Sequence, residues 1–206
     1  MSADPTQPTD EALLARYRRG DVDAFRALVR RHQRALYNFA LRQVRVPSVA
    51  EDIVQDVFVR IVQNVQTFKE ESRFSTWAYT IARNLCIDHL RKGAHRRHAS
   101  LDQPSHSGDD DGDGTPLGEK VAGSAMPADR TVIGKQLQAH IRAAVEALPE
   151  DQREVFLMRQ VSELPFKEIA EIVGVSENTV KSRMRYALER LQGALAEFED
   201  YAKAVK

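Results

Sequence analysis

Residues 165–192 read PFKEIAEIVGVSENTVKSRMRYALERLQ, and this stretch decides the fold. Pro165 sits where a short helix can begin, one that buries Phe166, Ile169, Ala170 and Val173. Gly174 supplies a tight turn, Val175 fills the angle between two helices, and Ser176 is a good N-cap for the second. At 100° per residue, Val180, Met184, Ala187, Leu188 and Leu191 gather on one face of that second helix. Asn178, Lys181, Ser182, Arg185 and Tyr186 point the other way. An ordinary helical hairpin would also have a tight glycine turn. The turn, the cap and a cationic face without acids across 178–186 together favour a helix-turn-helix. Such a helix fits the major groove, where Arg and Lys reach guanine acceptors and Ser or Asn read other edges. Arg183 and Arg190 lie on the flank, where phosphate contact is more natural.

Outward from this motif the chain divides in three. Residues 1–98 hold 17 Lys/Arg against 11 Asp/Glu, a net of +6. Residues 99–130 hold 2 against 7, a net of −5, and residues 131–206 hold 11 against 12, a net of −1. The formal net charge of zero over 206 residues is therefore a cancellation, and it does not speak against a nucleic-acid partner. The middle block collects Pro104, Gly108, Gly112, Gly114, Pro116, Gly118, Gly123 and Pro127, has little apolar periodicity, and reads as a flexible acidic linker. The expected architecture is all-α: two small helical domains, 1–98 and 131–206, on either side of the 99–130 tether.

Helical patterning runs through both halves. Phe25, Leu28, Val29, Leu36, Phe39 and Ala40 recur at helical spacing, and Ser48 with Glu51 spells a capping box just after Pro47. Ile53, Val57, Ile61 and Val65 then form an apolar stripe beside Val54, Phe58 and Val62. A third segment starts near Ser75 and stacks Trp77, Ile81 and Leu85, with Gly93 expected to end or fray it. In the second half, Leu137, Ile141, Val145 and Leu148 form one stripe, and Pro149 with Glu150 and Asp151 opens the next helix. Nothing alternates at period two between turn signals.

Within 67–97, TFKEESRFSTWAYTIARNLCIDHLRKGAHRR, aromatic rings alternate with cations. Rings beside phosphate-seeking side chains suit unstacked single-stranded bases, although Phe74 and Trp77 fit equally well as core residues. The blocks AEDIVQDVFVRI and TFKEESRFSTWAYTIARNLCIDHLRK resemble domain 2 of the sigma-70 family, and the helix-turn-helix ending in TVKSRMRYALERL resembles its domain 4. With only those two domains and a linker, the chain is similar to the extracytoplasmic-function (ECF) sigma factors.

That resemblance implies a chain that binds core RNA polymerase, recognises promoter DNA and opens it. Asp52, Ile53, Gln55, Asp56 and Phe58 then correspond to the polymerase-gripping surface. Phe68, Ser72 and Phe74 belong to the loop that captures a base flipped from the −10 element, next to Trp77. Asn84 hydrogen-bonds that region, and Arg91 and Lys92 hold its backbone. Asn178, Lys181, Ser182, Arg183, Arg185 and Tyr186 read the −35 element. An anti-sigma factor, often membrane-bound in this family, is the expected inhibitor. Two other readings stay open at this stage. One is a conventional helix-turn-helix regulator, which would have no use for the aromatic 67–79 segment, and the other is a protein that sequesters another factor.

No catalysis is expected, because phosphate loops, nucleophile elbows and paired-carboxylate sites are lacking. Asp109, Asp111, Asp113 and Gly114 begin like a calcium loop, but its twelfth position is Lys120. Cys86, His89, His95 and His98 fit no common zinc spacing, so neither metal nor cofactor is expected. A single cysteine, no secretory signal and no apolar run near 18 residues point to the cytoplasm without membrane insertion.

Overall fold

The computed structural model describes residues 7–69, 72–101 and 128–196, with 94–101 and 128–136 described by backbone alone. Among them every regular element is helical. The first half opens with α1 (Asp10–Arg18), which the periodicity did not announce. It is a nine-residue helix capped by Thr9, whose hydroxyl accepts from Ala12 N at 3.2 Å, and it buries only Leu13 and Leu14. Asp21 caps α2 (Val22–Val44) by accepting from Ala24 N, and Leu28, Leu36, Phe39 and Ala40 face inward as their spacing predicts. α3 (Pro47–Asn64) begins one residue before the expected capping box. Pro47 takes the first helical position, and Val46 stands at the N-cap without a side-chain bond. The fixed φ of proline makes the start, so the Ser48–Glu51 box is not needed. A single 3-10 turn, Val65–Thr67, leads toward α4 (Phe74–Leu101).

Ile53, Val57 and Ile61 form the buried stripe of α3, continued by Val65 of the 3-10 turn, whereas Val62 at its margin is 39% exposed. They close on Leu28 and Phe39 of α2 and on Phe74, Ala78 and Ala82 of α4. Each such aliphatic side chain contributes about 1.5–3 kcal/mol relative to exposure. α4 continues through Gly93 to Leu101, and α5 starts at Ala128, so helix occupies both margins of the expected 99–130 linker. A helical glycine costs about 1 kcal/mol, too little to stop a long helix already anchored by packing. The rest of that linker lies outside the described residues.

The second half consists of α5 (Ala128–Glu146), α6 (Glu150–Gln160), α7 (Phe166–Val173) and α8 (Glu177–Ala194). Val145, Leu148, Val155, Leu157, Met158, Ile169, Ile172, Val180 and Met184 are its core. Two expected core positions lie outside it. Leu188 is 46% exposed because it sits about 80° from Val180, past the edge of the buried stripe. Ile141 is 41% exposed because burial in α5 begins only at Val145, one turn later.

The turn between α7 and α8 forms as its sequence implies. Gly174 takes φ +77° and its N–H bonds the carbonyl of Ala170, while Ser176 Oγ accepts from Thr179 N at 3.1 Å. A Cβ added at Gly174 meets nothing within 4 Å, so only the left-handed backbone opposes substitution. Gly174→Ala is therefore expected to cost about 1–2 kcal/mol. The check is the urea midpoint of the second half, and an unchanged midpoint would contradict it.

Candidate nucleic-acid interface

α8 buries Val180, Met184, Ala187 and Leu191 and leaves Asn178, Lys181, Ser182, Arg185 and Tyr186 exposed. The cations on this face have only weak company. Lys181 Nζ lies 2.7 Å from Glu177 and Arg185 Nε 3.7 Å from Glu189, both (i, i+4) surface pairs, and the Arg185 guanidinium covers the Tyr186 ring at 4.9 Å. Exposed pairs of this kind contribute a few tenths of a kcal/mol, so a DNA phosphate or base edge displaces them readily. Arg183 differs, being half-buried and turned to Asp151 of α6 at 3.2 Å.

α4 presents three faces around its axis. Phe74, Ala78, Ala82 and Leu85 point into the core. Trp77, Asn84 and Arg91 lie within about 40° of one another on a second face, where Asn84 and Arg91 are exposed and Trp77 is half-buried; Lys92 is exposed too, about 100° round from Arg91. Phe68 packs its ring 5.1 Å from Trp77, and Ser72 N donates to Lys69 O at 3.0 Å just before the helix starts. Phe68, Ser72 and Trp77 are thus neighbours at one end of this open face. Phe74 departs from the expectation. It is fully buried with its ring 5.0 Å from His32, so it supports the loop from beneath and offers no face to a base. Glu11 of α1 accepts from Phe74 N at 3.2 Å, and Asp10 of α1 holds His32 Nε2 at 2.7 Å. Burial pushes the Asp10 carboxyl up, but hydrogen bonds and charge from His32 and Arg31 outweigh it and hold the group below its ordinary range. α1 thereby fixes where α4 begins.

On α3, Asp52, Gln55 and Asp56 are exposed, while Ile53 and Phe58 are buried. Phe58 meets Phe25 edge-on at 6.2 Å, and Phe25 stacks on Tyr17 at 4.6 Å, so Phe58 belongs to an internal aromatic row. Val59 and Val62, 50% and 39% exposed, complete the acidic surface with apolar area. Excess apolar residues on one helix were the available signal for them.

The third face of α4 meets the second half of the chain. The Ser75 and Thr76 hydroxyls donate to Glu168 Oε2 of α7, at 2.7 and 3.2 Å. Arg83 pairs with Glu154 of α6, a carboxylate only 6% exposed. Arg45, at the end of α2 with φ 62°, donates to the carbonyl of Glu146 at 2.9 Å. Cys86 faces the same junction and lines a small cavity with Phe39, Gln43, Arg83 and Glu154. Burial, and secondarily the charge of Glu154, push its thiol up to about 12. Sequence spacing carried no sign of these contacts, whose partners stand 71 to 101 residues apart.

Among the described residues no three His, Cys, Asp or Glu side chains converge as a metal site, and no helix is long and apolar enough to cross a membrane. The 109–114 acidic run lies outside the described residues, as do the side chains of His95 and His98.

The family description "Sigma-70 region 2" matches residues 28–96, and "Sigma-70, region 4" matches 139–191. The chain is 32% identical over 178 residues to the ECF RNA polymerase sigma factor SigW of Bacillus subtilis, covering 86% of this chain and 92% of that protein. It is 30% identical over 185 residues to the ECF RNA polymerase sigma-E factor of Escherichia coli (90% and 93%). Among solved structures it is similar to the sigma factor RpoE of Bartonella quintana in complex with the anti-sigma factor NepR, with a TM-score of 0.64 at 26% identity (84% and 96%). CnrH, solved with the cytosolic domain of CnrY, has a TM-score of 0.64 at 22% identity (92% and 99%) and shares the fold.

Proposed function

The chain belongs to the ECF sigma factors of the sigma-70 family, which direct promoter-specific initiation of transcription, and we propose that its halves divide that work. The first half, 1–98, docks on core RNA polymerase through Asp52, Gln55 and Asp56 of α3, with Val59 and Val62 supplying apolar area beside the charges. Its 68–74 loop and Trp77 receive a base unstacked from the −10 element, at a cost of a few kcal/mol that ring contact and polymerase binding offset. Asn84 hydrogen-bonds the melted strand, and Arg91 and Lys92 hold its phosphates. The second half, 131–206, lays α8 into the major groove of the −35 element, with Asn178, Lys181, Ser182, Arg185 and Tyr186 at base edges. Arg183 reaches a phosphate once it leaves Asp151.

The observation that carries this reading is that α4 and α8 each pack one face into the core and leave a donor-bearing face exposed, Asn84 and Arg91 on the first and Asn178, Lys181, Ser182 and Arg185 on the second. The protein makes and breaks no covalent bond, takes no metal or cofactor, and works in the cytoplasm beside the polymerase. The RpoE structure contains an anti-sigma factor, which supports a protein inhibitor for this chain as well, seated over α3. Such an inhibitor and core polymerase exclude each other, so a complex containing both would rule it out. The test of function is promoter selection with the purified chain and core polymerase. Defined start sites are expected, and failure to bind core polymerase would sink the reading.

A further inference from the structure

Glu154 and Glu168 come from different helices of the second half, yet both seat their carboxylates on donors of α4. Ser75 and Thr76 offer hydroxyls in the first turn of α4, where the helix dipole also favours an anion. Arg83 offers its guanidinium two turns on, about 12 Å along the axis. That span matches about two to three successive phosphates along one DNA strand. A carboxylate and a phosphate present the same chemistry to such donors: negative oxygens that accept charge-assisted hydrogen bonds. The row borders the Trp77–Asn84–Arg91 face, so a strand lying on that face has phosphates within its reach.

The closed arrangement is also incompatible with the work proposed above. Elements centred 10 and 35 base pairs upstream of a start site are separated by about 85 Å of duplex. A compact chain of this length is only about 45 Å across, taking its radius of gyration at about 17 Å. The halves must part before both elements are engaged. Their junction carries polar and charged groups as well as apolar packing. The buried Tyr79 hydroxyl of the first half faces the Ser162 hydroxyl of the second across it. Across it Arg45 and Arg153 repel, and burial followed by the Arg45 charge lowers the affinity of Arg153 for its proton. Beside the apolar packing that joins the halves, these ion pairs and hydroxyls can exchange their partners for water or phosphate when the halves part.

We propose that Ser75, Thr76 and Arg83 form a phosphate-binding row for the promoter strand, which the protein's own Glu168 and Glu154 occupy until the halves separate. The row rests on the reading of α4 as the DNA-facing helix. The free chain then keeps its own acids where DNA belongs, and polymerase or DNA displaces them.

The test uses the full chain without polymerase and two readouts: alkylation of Cys86 at pH 8, which reports separation of the halves, and binding of a fluorescein-labelled single-stranded 12-mer DNA. Glu168→Ala is the informative variant. Glu154 itself raises the Cys86 thiol, so Glu154→Gln would speed alkylation even without opening. Glu168→Ala is expected to speed alkylation about tenfold and to tighten 12-mer binding about tenfold, the effect of one charge-assisted hydrogen bond. Adding Arg83→Ala should keep the chain open but abolish the gain in DNA binding and lower the salt slope by about one. Circular dichroism and melting of each variant show that it is folded. Three results would overturn the proposal: no change in alkylation, opening without tighter DNA binding, or a gain that survives Arg83→Ala. Run-off transcription by wild-type chain with core polymerase separates the two readings. If it fails, the sigma-factor assignment of α4 fails; if it succeeds and Glu168→Ala behaves as wild type in both assays, only the phosphate row is lost.

Discussion

Replacing Lys181 and Arg185 together by alanine is expected to lower specific run-off transcription by about 30- to 10⁴-fold. A well-made contact from such a side chain to a base edge discriminates by about 1–3 kcal/mol, and two are removed. Little opposes this loss in the free protein. The partners given up are Glu177, Glu189 and the Tyr186 ring, all on the surface of α8 itself. Nothing in the core changes, because α8 packs through Val180, Met184, Ala187 and Leu191. The melting temperature and the affinity for core polymerase should therefore remain those of wild type. The salt dependence of holoenzyme binding separates two ways of losing activity. If Lys181 touches phosphate and Arg185 a base, the slope of log K on log salt falls by about one, and specificity relaxes at one base-pair position. Unchanged transcription would mean that α8 does not read the promoter.

The fold was legible where one residue class repeats on one face. The α3 stripe and the α7–α8 turn needed no tertiary information: apolar side chains four apart have one place to go, and Gly174 with Ser176 names both the turn and the next cap. Legibility faded at margins. Leu188 and Ile141 belong to apolar stripes, yet the width of a buried stripe depends on neighbouring helices, which no single helix encodes. Ser48–Glu51 is a valid cap signal, but Pro47 pre-empted it by one residue. α1 escaped because nine residues with two buried leucines give hardly one turn of pattern. In the candidate site, the exposure of Asn84, Arg91, Lys181 and Arg185 followed from helix phase. Phe74 did not follow, since a ring at the start of a helix can point to core or solvent equally well, and His32 with Glu11 decides the matter from distant sequence. The Arg83–Glu154 and Ser75–Glu168 contacts were invisible for the same reason. Each charge looks like a solvated surface residue until the other half of the chain is brought against it.

Cys86 provides the second large effect. The ordinary thiol near 9 is about one-tenth thiolate at pH 8, whereas a thiol at about 12 is about 10⁻⁴ thiolate, a difference of about 10³. Both causes act in the same direction. Burial disfavours the charged form, and the Glu154 carboxylate beside it would repel a thiolate. Iodoacetamide should therefore modify the native chain about 10³-fold more slowly than the urea-unfolded chain at pH 8, and only 2% exposure of the side chain slows it further. The pH profile tests the cause. In the unfolded chain the rate should rise tenfold per unit and level off near pH 9, the ordinary thiol value. In the native chain it should keep rising past pH 11, because the folded thiol does not ionise before then. A native profile that levels off near pH 9 would show that the reacting thiol is not the buried one. Because Glu154 belongs to the second half and Cys86 to the first, the native profile also measures how firmly the two halves are held together. The single thiol thereby reports on a junction that no spacing in the sequence announced.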